Sequence, residues 1–280
     1  MRGAAHRAEG QRLLRHARRH SSGPGRPAPL GGAAHLRHQR LRRGVFSGCT
    51  LRCCYCQNHA ISAEGFGKDV TPRRLRAIFE ELIAQGAHNI DLITATHFLP
   101  WILPALEPKL PVPLVYNCGG YEKVETLRRL EGLVDIWLPD MKYADGSLAA
   151  ELSAAPDYFP VAAAAIQEMF RQTGPYVIEN GLLRRGVVIR HLVLPGYPDN
   201  SRRVMDWVAR TFRPGDVLFS LMSQYTPQPD AQGRLARRVT RAEYRAAAEY
   251  MRNCGIVDGF TQERTAAKEE YTPPFDLTGV

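Results

Sequence analysis

Four of the six cysteines of this 280-residue chain fall within eight consecutive positions, Cys49, Cys53, Cys54 and Cys56. Thiols that close together are rarely there for packing. With Cys54 set aside, Cys49, Cys53 and Cys56 read C-x3-C-x2-C. Three thiolates on one short loop can hold three irons of a cubane [4Fe–4S] cluster and leave the fourth iron open to a chelating small molecule, whereas ferredoxin-type clusters take four cysteines. A structural zinc asks for a second pair of ligands further along, and His59, Cys118 and Cys254 are the residues that could supply it. A C-x2-C redox pair made of Cys53 and Cys56 is the third alternative.

A loop of this kind needs a scaffold, and the chain alternates strand and helix patterns from Gly44 on. Val45-Phe46 is a short apolar run leading into the cysteines, and "NIDLITAT" (89–96), "VPLVYN" (112–117), "VDIWLPD" (134–140), "VVIRHLVLPG" (187–196) and "DVLFSLMSQY" (216–225) read as strands. Between them, Thr71-Pro72 opens a helix with Pro at its first position, and Gly86 can close it. "FLPWILPAL" (98–106) reads as a helix broken by Pro100 and Pro104. Helices are expected over 122–131, 147–153, 160–172, 202–211 with Ser201 as its cap, and 241–253. Buried strands alternating with helices give right-handed βαβ units and a parallel sheet. Six such strands predict an α/β fold, an open partial (β/α)6 barrel, with a doubly wound sheet as second choice. Either fold puts its chemistry at the C-terminal ends of the strands.

Those ends carry the other candidates. Thr94 and Thr96 close one strand, and Asn117 closes the next, followed by Gly119-Gly120, which permits close backbone approach to a ligand. Asp140 and Lys142 form D-x-K, two residues that point the same way on a strand. A surface ion pair is the alternative use of these two. Arg190 lies inside an apolar strand, where an unpaired cation would be costly, so it must have a partner. His191 and Gln224 fit equally well as satisfied core polar groups. Cys54 is expected to turn away from the other thiols and act as a small apolar filler.

The net charge of +9 is unevenly spread: residues 1–43 hold eleven arginines and one acid, Glu9, so they carry +10 and the remainder −1. That arm has no aromatic residue to stack on bases, so nucleic-acid binding is not expected. Its composition matches out-of-frame translation of GC-rich DNA or a disordered or transit segment. The chain is divided here into a basic, low-complexity tail, 1–43, disordered or not native sequence, and a catalytic domain, 44–280. No stretch of about 18 apolar residues is present, so no membrane span is expected. Bunched cysteines are not the even scatter of a disulfide scaffold, and a reducing, cytoplasmic location is expected.

C-x3-C-x-aromatic-C after a first strand, with Tyr55 in the aromatic slot, resembles the radical SAM superfamily. "SGCTLRCCYCQNHAIS", "CGGYE", "DIWLPDMKY" and "RHLVLPG", from about Gly44 through "GFTQE" (259–263), resemble the uncharacterised relatives of pyruvate formate-lyase activating enzyme. The resemblance implies an iron–sulfur oxidoreductase in which Cys49, Cys53 and Cys56 hold a [4Fe–4S] cluster. Its open iron binds the amino nitrogen and carboxylate of S-adenosylmethionine. Reductive cleavage then gives methionine and a 5′-deoxyadenosyl radical for hydrogen-atom abstraction. It implies cofactor contacts from Tyr55, Thr94, Thr96, Asn117, Asp140, Lys142 and Arg190, the last through the S-adenosylmethionine carboxylate. The Gly-Gly-Glu type motif that meets the methionine amino group in relatives is missing after Ile93. A reductant such as flavodoxin or ferredoxin is implied as a partner. The substrate stays open between the glycyl radical site of a protein, a peptide and a small molecule. A non-catalytic zinc or iron–sulfur module is the alternative from another class.

Overall fold

A computed structural model describes residues 12–16, 41–64 and 67–261. Its strands are β1 (Arg12–His16), β2 (Leu41–Phe46), β3 (Lys68–Asp69), β4 (Asn89–Ile93), β5 (Leu114–Cys118), β6 (Ile136–Pro139), β7 (Val177–Glu179), β8 (Leu182–Leu192), β9 (Leu218–Met222) and β10 (Gly259–Thr261). Its α-helices are α1 (His59–Ser62), α2 (Pro72–Ala84), α3 (Leu99–Leu106), α4 (Val124–Arg128), α5 (Gly146–Ser153), α6 (Tyr158–Thr173), α7 (Pro198–Thr211) and α8 (Arg241–Asn253).

The strand order runs β10-β9-β8-β6-β5-β4-β2-β1-β3. From β2 to β10 every neighbouring pair is parallel. Over these seven strands the order is sequential and never reverses. A doubly wound sheet would reverse at a switch point, so the partial barrel is the architecture. All six strands read from the sequence are present, and β10 adds a seventh parallel strand. Before them, β1 pairs antiparallel with β2, and β3 with β1. β2 begins at Leu41, ahead of the expected boundary at Gly44. Apart from 12–16 and 41–43, the tail read as disordered lies outside the described residues.

Helix starts follow their local chemistry. Thr71 accepts from Arg74 N ahead of Pro72, and Thr240 forms a capping box with Glu243. Ser201 does not cap. It sits inside α7, which begins earlier at Pro198, a residue suited to the first helical position. The break expected at Pro100 and Pro104 is not there: α3 runs unbroken over Leu99–Leu106 behind a 3-10 turn, Thr96–Phe98, with Pro100 in its first turn, where no N–H is needed, and Pro104 accommodated inside it.

Side chains alternate across the sheet. Tyr116, Trp137, Val187, Ile189 and Phe219 pack under the helices together with Ile78, Leu127, Ile166 and Val204. Val115, Ile136, Leu138, Val188 and Leu218 form a separate cluster on the other, inner face. Alternation then carries Asn117, Asp140 and Arg190 to that inner face, one rung beyond Val115, Leu138 and Val188. It carries His191 to the helix side.

Candidate functional site

The cysteine loop leaves the C-terminal end of β2. Gly48 turns it with φ of 85°, a conformation that favours glycine, and its N–H bonds Ile61 O at 2.9 Å. His97 Nε2 meets Ser47 O at 2.7 Å and ties this entry to the end of β4. Further on, the loop is bound to the end of α5: Arg52 N donates to Ser153 O at 3.2 Å, and Cys54 N to Leu152 O at 2.9 Å. Cys56 N closes a tight turn on Cys53 O at 3.1 Å.

Cys49, Cys53 and Cys56 are partly buried, and Cys49 and Cys53 pack against the core. Cys54 is exposed, so it does turn away from the core, but it is no apolar filler; the tight turn points it into solvent. Burial pushes the Cys49 and Cys53 thiols up, and the Lys142 ammonium pulls both back. Lys142 therefore acts on two of the three sulfurs. Ser153 Oγ donates to Cys53 Sγ at 2.9 Å, Leu51 N to Cys49 Sγ at 3.4 Å, and Cys56 Sγ lies 3.3 Å from Ser62 Oγ. Among the described residues no three His, Cys, Asp or Glu side chains converge on a single-ion position. A cluster asks for something else, one sulfur on each of three irons. Three thiols on one loop, next to a cation, fit an anionic cluster of that kind.

The strand-end residues meet beside this loop. Lys142 Nζ donates to Asp140 Oδ2 at 2.6 Å. Arg190 Nη2 lies 2.7 Å from Asp140 Oδ1, an ion pair that misses hydrogen-bond alignment. The same Nη2 donates to Asn117 Oδ1 at 2.6 Å. All four side chains are mostly buried, so the surface-pair alternative for Asp140 and Lys142 does not describe them: 15% and 19% of these side chains is exposed. Burial pushes the Asp140 carboxyl up, but Arg190 and Lys142 outweigh it and hold it below the usual range. Burial opposes the Lys142 charge, but Asp140 and then Cys53 raise its pKa well above the ordinary value. Arg190 thus finds partners within the chain, and among the described residues its Nε has no hydrogen bond.

This group is propped from the helices. The Tyr158 hydroxyl, at the start of α6, accepts from Lys142 N at 2.9 Å and lies 2.8 Å from Gly119 O and from Asp140 O. Asn200 of α7 donates to Lys142 O at 2.9 Å and accepts from Ala144 N at 3.0 Å. Gly120, at φ of 78°, lets the chain pass against Asp140 O, where a Cβ would collide. The close approach expected of Gly119-Gly120 is thus to the chain's own backbone; a Cβ on Gly119 would press on Leu51 of the cysteine loop at 2.9 Å.

The remaining candidates divide. Tyr55 is buried at 7% exposure; its hydroxyl lies 2.5 Å from that of Tyr143 and its ring centroid 6.1 Å from that of Tyr225. Thr94 follows β4, partly buried. Thr96 donates to Glu122 Oε1 at 2.6 Å and accepts from the Tyr116 hydroxyl at 3.1 Å. His191 is a satisfied core residue: Nδ1 meets Met141 O at 2.7 Å and Nε2 meets Ser201 Oγ at 2.9 Å. Burial lowers its pKa to about 4, so it is neutral. Gln224 is partly buried, and its backbone carbonyl accepts from Gln57 Nε2 at 3.1 Å.

Glu122 is the acid that sequence reading passed over. It is 2% exposed, no salt bridge among the described residues reaches it, and Oε2 lacks a hydrogen bond of good geometry, although the Cys118 thiol is close enough to act as a weak donor. Burial raises its pKa to about 7, and the Thr96 and Cys118 contacts only moderate this. The sole sequence signal was an acid two residues past a strand-end Gly-Gly.

No family model matches the chain. It is 27% identical over 218 residues to the uncharacterized protein MJ0674 of Methanocaldococcus jannaschii, covering 73% of this chain and 60% of that protein. Among solved structures, SuiB of Streptococcus suis bound to S-adenosylmethionine aligns with a TM-score of 0.54 at 13% identity, over 81% of this chain and 54% of that one. The hydrogenase maturase HydG of Carboxydothermus hydrogenoformans aligns with a TM-score of 0.55 at 13% identity, over 80% and 53%. The chain therefore spans less than two thirds of the length of each of these proteins. At such identities the likeness is one of fold, and together with the sequential parallel sheet it makes this chain a partial (β/α)6 barrel of the radical SAM type.

Proposed function

We propose that this chain is a radical SAM enzyme, in which Cys49, Cys53 and Cys56 hold a [4Fe–4S] cluster and the strand-end residues hold S-adenosylmethionine. One observation carries the reading. Gly119 lies between the cysteine loop and Lys142, a Cβ there meeting Leu51 at 2.9 Å and Lys142 Cε at 3.8 Å, while Lys142 pairs with Asp140, Asp140 with Arg190, and Arg190 with Asn117. Two elements singled out separately, the cysteine loop and the strand ends, form one place. When bound, the cluster supplies one electron for cleavage of S-adenosylmethionine to methionine and a 5′-deoxyadenosyl radical.

The chain's own groups have definite tasks. Arg190 Nε is a buried donor without an acceptor among the described residues, and a ligand carboxylate would supply one. Asp140 offsets the two neighbouring cations and keeps them apart in direction. Tyr158 and Asn200 fix the backbone on either side of Lys142. Anaerobic reconstitution with iron, sulfide and reductant is expected to give about four irons per chain, broad visible absorption, and 5′-deoxyadenosine once S-adenosylmethionine is added. A colourless protein holding one zinc would establish the non-catalytic module instead. Any of Cys49→Ala, Cys53→Ala or Cys56→Ala is expected to abolish colour and cleavage.

Arg190→Ala is expected to weaken S-adenosylmethionine binding by about 1.5–3 kcal/mol, the worth of a charge-assisted hydrogen bond, with iron content preserved. Equal loss of iron and ligand would mean a folding role. Within the superfamily, the finer reading is an enzyme like the glycyl radical activases, acting on a protein or peptide and reduced by a flavodoxin or ferredoxin. Support for a peptide substrate comes from the likeness to SuiB, solved with its precursor peptide SuiA. Mass change of a candidate protein or peptide after turnover tests it.

A further inference from the structure

Three buried hydroxyls run from one residue of the cysteine loop back to another. Tyr55 Oη lies 2.5 Å from Tyr143 Oη, Tyr143 Oη lies 2.6 Å from Ser153 Oγ, and Ser153 Oγ lies 2.9 Å from Cys53 Sγ. Tyr55 is 7% exposed, Tyr143 0% and Ser153 1%, so no bulk water competes for these protons. Each hydroxyl has one proton to give. Ser153 gives its proton to sulfur, its oxygen then accepts from Tyr143, and the Tyr143 oxygen accepts from Tyr55. The direction of the whole chain is set by its last acceptor. Hydrogen bonds aligned this way polarise one another.

The three sulfurs are not treated alike. Cys53 receives an O–H bond at 2.9 Å backed by two further hydroxyls, while Cys56 meets the Ser62 hydroxyl at the longer 3.3 Å and Cys49 a backbone N–H at 3.4 Å. The backbone on both sides of Cys53 is also bound to the end of α5, through Ser153 O and Leu152 O. Such a cradle exceeds what packing a cysteine requires.

We propose that the Tyr55–Tyr143–Ser153 chain is a positioning and tuning device for the cluster, raising its reduction potential through the sulfur of Cys53. The proposal rests on the reading of Cys53 as a cluster ligand. A hydrogen bond to a ligand sulfur stabilises the more negative, reduced cluster, and such bonds are among the factors that set cluster potentials. The device gives the superfamily chemistry a threshold specific to this chain: how strong a reductant must be to charge the cluster.

The test is a potentiometric titration of the reconstituted protein, read by the electron paramagnetic resonance signal of the reduced cluster, with iron content measured alongside. Ser153→Ala is expected to keep its iron and to titrate at a more negative potential than wild type. Ser153→Thr, which keeps the hydroxyl, is expected to return the potential towards wild type. Tyr143→Phe leaves the Ser153 bond but removes its support, so its shift has the same sign and is smaller; Tyr55→Phe gives the smallest. Unchanged potentials in Ser153→Ala and Tyr143→Phe overturn the proposal, as does a largest shift at Tyr55→Phe. If Ser153→Ala does not assemble a cluster, the sign of the Tyr143→Phe shift decides. Failure of the underlying reading looks different: wild-type protein would then take up no cluster at all.

Discussion

Asp140 and Glu122 are two carboxyls buried at neighbouring strand ends, and their surroundings drive them in opposite directions. Both pay for leaving water. Asp140 lies between Lys142 and Arg190, and the two cations more than offset its burial. Glu122 has a hydroxyl and a thiol but no cation among the described residues, and burial holds its pKa at about 7. The difference shows that burial by itself does not set the charge of a group; the nearest opposite charge does. Asp140, after β6, is thereby held below the usual carboxylate range, and Glu122, after β5, changes its charge near neutrality.

The contrast breaks most visibly at Asp140. Asp140→Ala leaves two cations facing each other in a mostly dry setting and is expected to cost about 3–5 kcal/mol of stability, measured by denaturant unfolding of the ligand-free protein. Glu122→Gln keeps the shape of the side chain and removes only a charge that burial already opposes. It is expected to leave stability at neutral pH unchanged or raised. Equal losses in the two variants would mean that the cations do not compensate Asp140.

A titration sharpens the same contrast. The folded pKa of Glu122, about 7, lies above its ordinary 4.5, so the folded protein holds that proton more tightly than the unfolded chain does. Its stabilising contribution is full below about pH 4.5, falls as pH rises, and is gone above about pH 7, a change of roughly 3 kcal/mol. His191 works the other way, because its pKa is lowered from 6.5 to about 4 and its contribution is lost as pH falls through that window. The two slopes oppose each other in the wild type. The stability difference between Glu122→Gln and wild type isolates one of them, and is expected to favour the variant increasingly from pH 4.5 to pH 7. A flat difference would place Glu122 in a wetter site than its burial indicates.

The smallest expected effect belongs to Cys54. It is adjacent to Cys53 yet exposed, while Cys53 accepts a buried hydrogen bond. Cys54→Ala is expected to retain iron and to change stability by no more than about 0.5 kcal/mol, as for an exposed side chain. Loss of iron in Cys54→Ala, with one of the other three cysteines tolerated, would displace the C-x3-C-x2-C assignment.

Several features were legible in the residues themselves. Alternating apolar runs gave the six main strands, because a strand buried on both faces must be apolar along its length. Thr71-Pro72 and Gly86 bounded α2 because capping is local chemistry. The spacing set Cys53 apart from Cys54, and the fold partly buries the first and exposes the second. Other matters needed the folded chain. Ser201 has the right chemistry for a cap, but Pro198 starts the helix and His191, from a different element, claims the hydroxyl. Arg190 was seen to need a partner, yet only the pairing of β8 with β6 supplies Asp140, fifty positions earlier. Glu122 carried almost no signal, since burial is a property of what packs around a residue and not of the residue. The chain from Tyr55 through Tyr143 and Ser153 to Cys53 joins positions up to one hundred residues apart. Local sequence fixes which groups exist and which way a strand or turn points them; distance, burial and charge compensation arise only when distant segments close on one another.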